Sequence, residues 1–229
     1  MTEAAAVTGN VSEARVNRFL AQVYLIMSVG LLVTALVSSS IATNLQFQFR
    51  LLSSPGLAFG LFILQIIVVV ALSASVMKLS PGVAFLLFLF YAALVGVTIS
   101  SIFLVYSQES IASVFWVTAG TFLVTSLVGL LLKRDMSGFG HFLMMLLLGW
   151  VIAYFFSYLF RLDNFNWGLT FVGIAIFVGL TAWDTQRLKQ IGQQMDDNPA
   201  RGGIAVLGAL NLYLDFINLF LLLLRAANR

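Results

Sequence analysis

The stretch AVLGALNLYLDFINLFLLLLR, Ala205 to Arg225, decides how the rest of the chain is read. It is long enough to cross a bilayer, for which roughly 20 apolar residues are needed. Yet Asp215 stands at its middle, flanked by Asn211 and Asn218. An ionisable group at that depth is costly unless it faces protein or water. The segment is therefore expected to be a central helix wrapped by the other apolar segments. Asp215 is expected to be one half of a functional carboxylate pair.

Composition points the same way. The chain has 229 residues, 61% hydrophobic and 9% charged, with mean hydropathy +1.02. Soluble domains carry about 25% charged residues, so this is expected to be an all-α, polytopic membrane protein. The net charge of +3 is spread over the chain without a basic cluster, and nucleic acid is not implied. The absence of cysteine excludes disulfides, thiolate metal sites and cysteine nucleophiles. A single histidine, His141, excludes a multi-histidine metal centre within one chain, and it reads as a solvated residue at a helix start.

Residues Met1 to Asn17 are polar and small, and lack the pattern of a cleaved signal. They are expected to form a tail ahead of one seven-helix domain over 18–229. Seven apolar runs follow: Phe19 to Ile41, Pro55 to Val76, Val83 to Tyr106, Ile111 to Leu132, Phe142 to Phe160, Trp167 to Leu188, and the opening stretch. The breaks fall at Asn44 to Arg50, around Lys78 to Gly82, at Ser107 to Ser110, around Lys133 to Gly140, at Arg161 to Asn164, and at Lys189 to Gly203. Short connections make consecutive helices antiparallel neighbours. With the N-terminus in the cytoplasm, eight cations lie inside: Arg15, Arg18, Lys78, Lys133, Arg134, Arg187, Lys189 and Arg201. Four lie outside: Arg50, Arg161, Arg225 and Arg229. That asymmetry favours N-in and C-out.

Two acidic residues stand apart from tails and loops: Asp184, near the end of the sixth run in GLTAWDTQRLK, and Asp215. The sixth helix runs inward and the seventh returns outward, so the two can approach in the inner half of the membrane. Carboxyls at close range in low dielectric titrate as a coupled pair, which makes a pH-sensitive element. The plainer reading is that each hydrogen-bonds another helix, or that Asp184 pairs with Arg187 or Lys189. Asn211, Asp215 and Asn218 share one helix face, a polar stripe that suits a water-lined path or a packing seam. Tyr213 points elsewhere and reads as packing. Lys78 and Arg187 are candidate counter-charges at the inner surface. Ala92, Gly96 and Ser100 form a small-residue face for close helix approach, and Gly173 and Gly179 read the same way.

GLTAWDTQ (Gly179 to Gln186) and LYLDFINLFLLLLR (Leu212 to Arg225) resemble the two signatures of the Bax inhibitor family, also called the transmembrane Bax-inhibitor-motif or lifeguard family. The resemblance extends through LSPGVAFLLFLFYAALVGVTISSIF (Leu79 to Phe103) and KRDMSGFG (Lys133 to Gly140), which are most similar to its bacterial inner-membrane branch. It implies a seven-helix bundle with the last helix central, and a pH-sensitive calcium leak. The family's paired aspartates carry over to Asp184 and Asp215. Where members have an arginine near the inner end of the second helix, SASVMKLSP offers Lys78, a point charge rather than a bidentate fork.

The expected function is therefore a cation leak pathway in the inner membrane, gated by a proton shared between Asp184 and Asp215. Calcium is expected as permeant ion rather than cofactor. With Asn211, Asn218 and backbone carbonyls, the two carboxylates offer only a weak, transient calcium site, since calcium takes six or more oxygens. The alternative is a non-conducting modulator of stress responses that acts through membrane-protein partners. An intramembrane aspartyl protease would also place two aspartates on adjacent helices. That chemistry's Gly-x-Gly-Asp signature is absent, because Leu212, Tyr213 and Leu214 precede Asp215. The chain is not expected to be an enzyme.

Overall fold

The computed structural model describes residues 2–76, 78–160, 162–194 and 201–228, which contain helices and no strand. The helices are α1 (Thr2–Ala42), α2 (Leu45–Ser53), α3 (Pro55–Ser75), α4 (Pro81–Ile99), α5 (Ile102–Val105), α6 (Gln108–Leu131), α7 (Ser137–Leu159), α8 (Asp163–Gln194) and α9 (Arg201–Ala227). Seven stretches are long and apolar enough to cross a membrane, with α4 and α5 forming one of them. The protein is thus the polytopic helical membrane protein expected. Local chemistry explains several starts. Proline opens α3 and α4, where its missing N–H costs nothing. Asn44 Oδ1 accepts the Phe47 N–H at 3.0 Å and caps α2.

The boundaries differ from the hydropathy reading in four places. α1 is helical from Thr2, well ahead of its apolar span at Glu13, and Val16 is already buried. The polar stretch Asn44 to Arg50 is mostly the short helix α2, with Gln48 and Leu51 buried and Leu45 and Phe49 exposed. The third run breaks after Ile99, and Gln48 Nε2 donates to the Ser100 carbonyl at 3.3 Å, satisfying an acceptor near the break. α8 begins at Asp163 and continues through Lys189 to Gln194. Asp196, Asp197 and Pro199 of the expected loop, and Arg161, lie outside the described residues.

The chain forms two compact units, residues 1–107 with 192–213, and 108–191 with 214–229. α9 therefore gives its first half to one and its second half to the other. It is also the most enclosed span: 67% of its apolar stretch is buried, against 6% for α3.

In the first unit α1 packs on α4, and α4 on α3. Gly96 permits the first approach, since a Cβ there would stand 2.9 Å from the Thr34 carbonyl oxygen and from Val37 Cβ. Thr34 is the polar junction. Its hydroxyl lies 2.9 Å from the Ala92 carbonyl, 3.1 Å from the Gly30 carbonyl and 2.7 Å from the Tyr213 hydroxyl. Carbonyls only accept, so when the Thr34 hydrogen goes to one of them, Tyr213 donates to Thr34. The Tyr213 ring packs edge-on against Phe88 and Tyr91 and, as expected, is a packing residue.

The second unit is built on Leu143 of α7, Ile176, Phe177 and Leu180 of α8, and Leu219 and Leu222 of α9. Gly173 admits Trp150 and Leu222, and Gly179 admits Leu143. The tightest approach of one backbone to another joins α6 to α8: a Cβ on Gly129 would stand 2.3 Å from the Ala182 carbonyl oxygen. Several hydroxyls bond back to their own helix. Thr118 donates to Val114 O at 2.7 Å, Thr125 to Thr121 O at 2.7 Å and Thr181 to Phe177 O at 2.8 Å.

The Gly129→Ala variant is expected to lose about 1–3 kcal/mol of stability, the usual cost of overpacking, read as a lower melting temperature of the detergent-solubilised protein. Gly120→Ala, with open space around its Cβ position, is expected to change little. Asp135 provides a pH-dependent contribution. Its carboxylate accepts the Ser137 hydroxyl at 2.7 Å and the Ser137 N–H at 3.0 Å, which holds it below the usual carboxylate range. A depressed folded value stabilises above the unfolded carboxylate range and is lost as pH falls through the folded one. Asp135→Ala should therefore lower the melting temperature at neutral pH and flatten its decline on the acid side.

Candidate functional site: a buried carboxyl pair

Asp184 on α8 and Asp215 on α9 both belong to the second unit, 9% and 5% exposed. Their carboxyls face each other and interact directly. Two ionised carboxylates offer acceptors only, so their approach is favourable when at least one of them carries a proton. The second oxygen of Asp215, Oδ2, is buried without a hydrogen-bond partner. In such a setting an unmet acceptor is costly.

The surrounding sequence holds the pair in place. Gly129 lets α6 rest on the α8 backbone at Ala182, two residues before Asp184. Thr185 Oγ1 donates to Ser126 Oγ at 3.3 Å, tying α8 to α6 beside the acid. Phe216, next to Asp215, packs edge-on against Phe115 and Phe122 of α6. Gln186 is buried, and its amide group donates to the Leu132 and Arg134 carbonyls at 3.1 and 2.9 Å. Its Oε1 accepts the Met136 N–H at 2.8 Å. Lys189 Nζ donates to the Leu130 carbonyl at 2.8 Å, placing a cation at the α6 C-terminus where the helix dipole favours it.

The remaining candidates divide. Arg187, one turn beyond Asp184, is exposed and its positive charge acts on that carboxyl. Its guanidinium lies over the Trp183 ring, 5.5 Å from the centroid. Lys78 is exposed in the turn before α4, in the unit that does not carry the pair. Asn218 is half-buried and donates to Leu214 O at 2.8 Å, so its amide is bonded along its own helix. Asn211 shares that helix face by spacing, but belongs to the half of α9 in the first unit. Thus Asp184, Asp215 and Arg187 stand together. Gln186, Gly129 and Ser126 carry no such role in the sequence reading, and Lys189, expected as a partner of Asp184, gives its Nζ to the Leu130 carbonyl. The available signal for Gln186 was its side-chain amide close to a buried acid in an apolar helix. Among the described residues no group of three or more acidic or histidine side chains could hold a metal ion, so the pair is not a closed cation cage.

Comparison with known proteins bears out the resemblance read from the motifs. The family described as "Inhibitor of apoptosis-promoting Bax1" matches residues 16–228. "Inner membrane protein YbhL" of Escherichia coli (strain K12) is 48% identical over 214 residues, 93% of this chain and 92% of that protein. An uncharacterized protein of Borreliella burgdorferi is 40% identical over 210 residues, 91% of this chain and 90% of its own length. "Uncharacterized protein YrjE" of Lactococcus lactis is 36% identical over 211 residues, 91% of this chain and 89% of that one. With the family match spanning all seven apolar helices and both aspartates, the chain belongs to the Bax inhibitor family of membrane proteins.

Proposed function

We propose that the protein is a pH-sensitive cation leak pathway of the inner membrane, with calcium the permeant ion and the proton shared by Asp184 and Asp215 its gate. The observation that carries this reading is the buried pair of directly interacting carboxyls, with Asp215 Oδ2 taking no hydrogen bond. While the proton is present, the acids satisfy each other. When it leaves, two like charges lie side by side away from water, and the site must separate, hydrate or accept a cation. Calcium fits the last role because it takes hard oxygen ligands. Two carboxylates supply only part of a calcium shell, which favours passage over storage. The name of the Escherichia coli relative supports the inner-membrane location. The loop charges support a cytoplasmic N-terminus and an outer C-terminus. The protein carries no chemistry as an enzyme in this reading and needs no cofactor.

The test is calcium flux in proteoliposomes of the purified full chain across about pH 6 to 8, a range chosen to bracket neutral pH. Asp184→Asn and Asp215→Asn retain shape and hydrogen bonding but remove titration, and each should abolish most of the pH response. Flux and pH response unchanged in both variants would remove the pair from the mechanism. A wild-type protein that passes no calcium at any of these pH values would overturn the leak itself.

A further inference from the structure

The second unit carries a cavity of about 260 Å³ lined by Ser137, His141, Trp183, Gln186, Arg187 and Gln190. It lies where the α7 span begins and the α8 span ends, so it opens at the water-facing end of two membrane helices. One wall is an aromatic platform. A Cβ on Gly140 would stand 2.0 Å from the Trp183 ring, so the indole rests on the backbone of the first turn of α7. The Arg187 guanidinium lies over this ring, and the His141 ring is 6.3 Å from it. Trp at this depth is typical of the headgroup layer.

Most polar groups lining the cavity already have partners. Gln186 holds the 132–136 backbone. Ser137 gives its hydroxyl to Asp135. His141 Nδ1 lies 2.7 Å from the Ser137 carbonyl, which can only accept, so Nδ1 carries the hydrogen and Nε2 is the ring's remaining polar atom. Arg187 is the fixed cationic donor on the cavity wall. Around it, Lys133 and Arg134 are exposed and Lys189 is half-buried. Among the described residues, the acids at this end of the second unit are the exposed Asp135, already bonded, and the buried Asp184.

We propose that this cavity binds the phosphate of an anionic phospholipid headgroup. The stacked guanidinium presents its planar fork to the phosphate oxygens, a geometry that lysine does not reproduce. The neighbouring Lys133, Arg134 and Lys189 favour a negative over a zwitterionic headgroup. The cavity volume matches a headgroup rather than an acyl chain, whose place is against the exposed apolar surface of α7.

The experiment titrates the purified full chain in neutral detergent with short-chain phosphatidylglycerol, with phosphatidylcholine of the same chain length, and with inorganic phosphate. Binding is read by native mass spectrometry and thermal stabilisation. The expected result is saturable binding of phosphatidylglycerol and none comparable with phosphatidylcholine. Arg187→Gln should weaken it about fivefold or more, the effect of one interfacial cation, while Arg50→Gln on α2 should leave it unchanged. Saturable binding of inorganic phosphate with the same Arg187 dependence would support the phosphate site and assign it to the free ion. If Arg187→Gln does not fold, Arg187→Lys carries the test, because loss of the stacked fork alone should weaken binding. Equal binding of the two lipids, or wild-type affinity in the folded Arg187 variant, would overturn the proposal.

Discussion

A carboxylic acid placed among hydrocarbon side chains must meet its hydrogen bonds without water, and the arrangement around α8 and α9 answers to that demand. Asp184 and Asp215 answer it by facing each other, with Asp215 Oδ2 left unmet. That solution works only if two helices hold their acids at hydrogen-bonding range, so the neighbouring small residues become structural requirements. Gly129 brings α6 onto α8, Gly173 and Gly179 open α8 to large side chains, and Phe216 locks α9 against α6. The apolar core of Leu143, Ile176, Phe177, Leu180, Leu219 and Leu222 then keeps the pair from water.

The same rule, that buried polar groups find protein partners, explains the connections. Gln186 replaces water for three backbone groups of the 132–136 segment, so a charged loop is held against a membrane helix. Thr34 does the equivalent in the first unit, where one hydroxyl serves α4 and the Tyr213 phenol. Gln48 serves the Ser100 carbonyl where α4 gives way to α5. In each case a short polar side chain substitutes for solvent at a place where the backbone leaves its regular ladder.

Much of this was legible in the chain itself, and the reasons are physical. Seven spans follow from hydropathy because a bilayer imposes a length on every crossing. Asp184 and Asp215 stand out because burial of an acid is expensive enough to need a reason. The small-residue face of Ala92 and Gly96 was readable because close helix approach leaves no room for side chains. α2 was not, since a short helix with Gln48 and Leu51 inward and Phe49 outward has no strong hydropathy signal. The extension of α8 past Leu188 was not, because Lys189 is polar by composition yet takes a helix-terminal carbonyl. Lys78 and Arg187 looked equivalent as counter-charges. Arg187, three residues past Asp184 on the same helix, was already within reach by spacing, and its charge acts on that carboxyl, whereas Lys78 belongs to the other unit.

The hydroxyls of Thr118, Thr125 and Thr181, and the amide of Asn218, all spend their donors on carbonyls of their own helices. In this state the helices are nearly hydrocarbon in character despite their polar content. A rotation about χ1 separates that state from one in which the same groups face outward as donors and acceptors. The second unit thus carries a concealed polarity: donors folded back onto their own backbones, which leave the helices' composition more polar than their contacts.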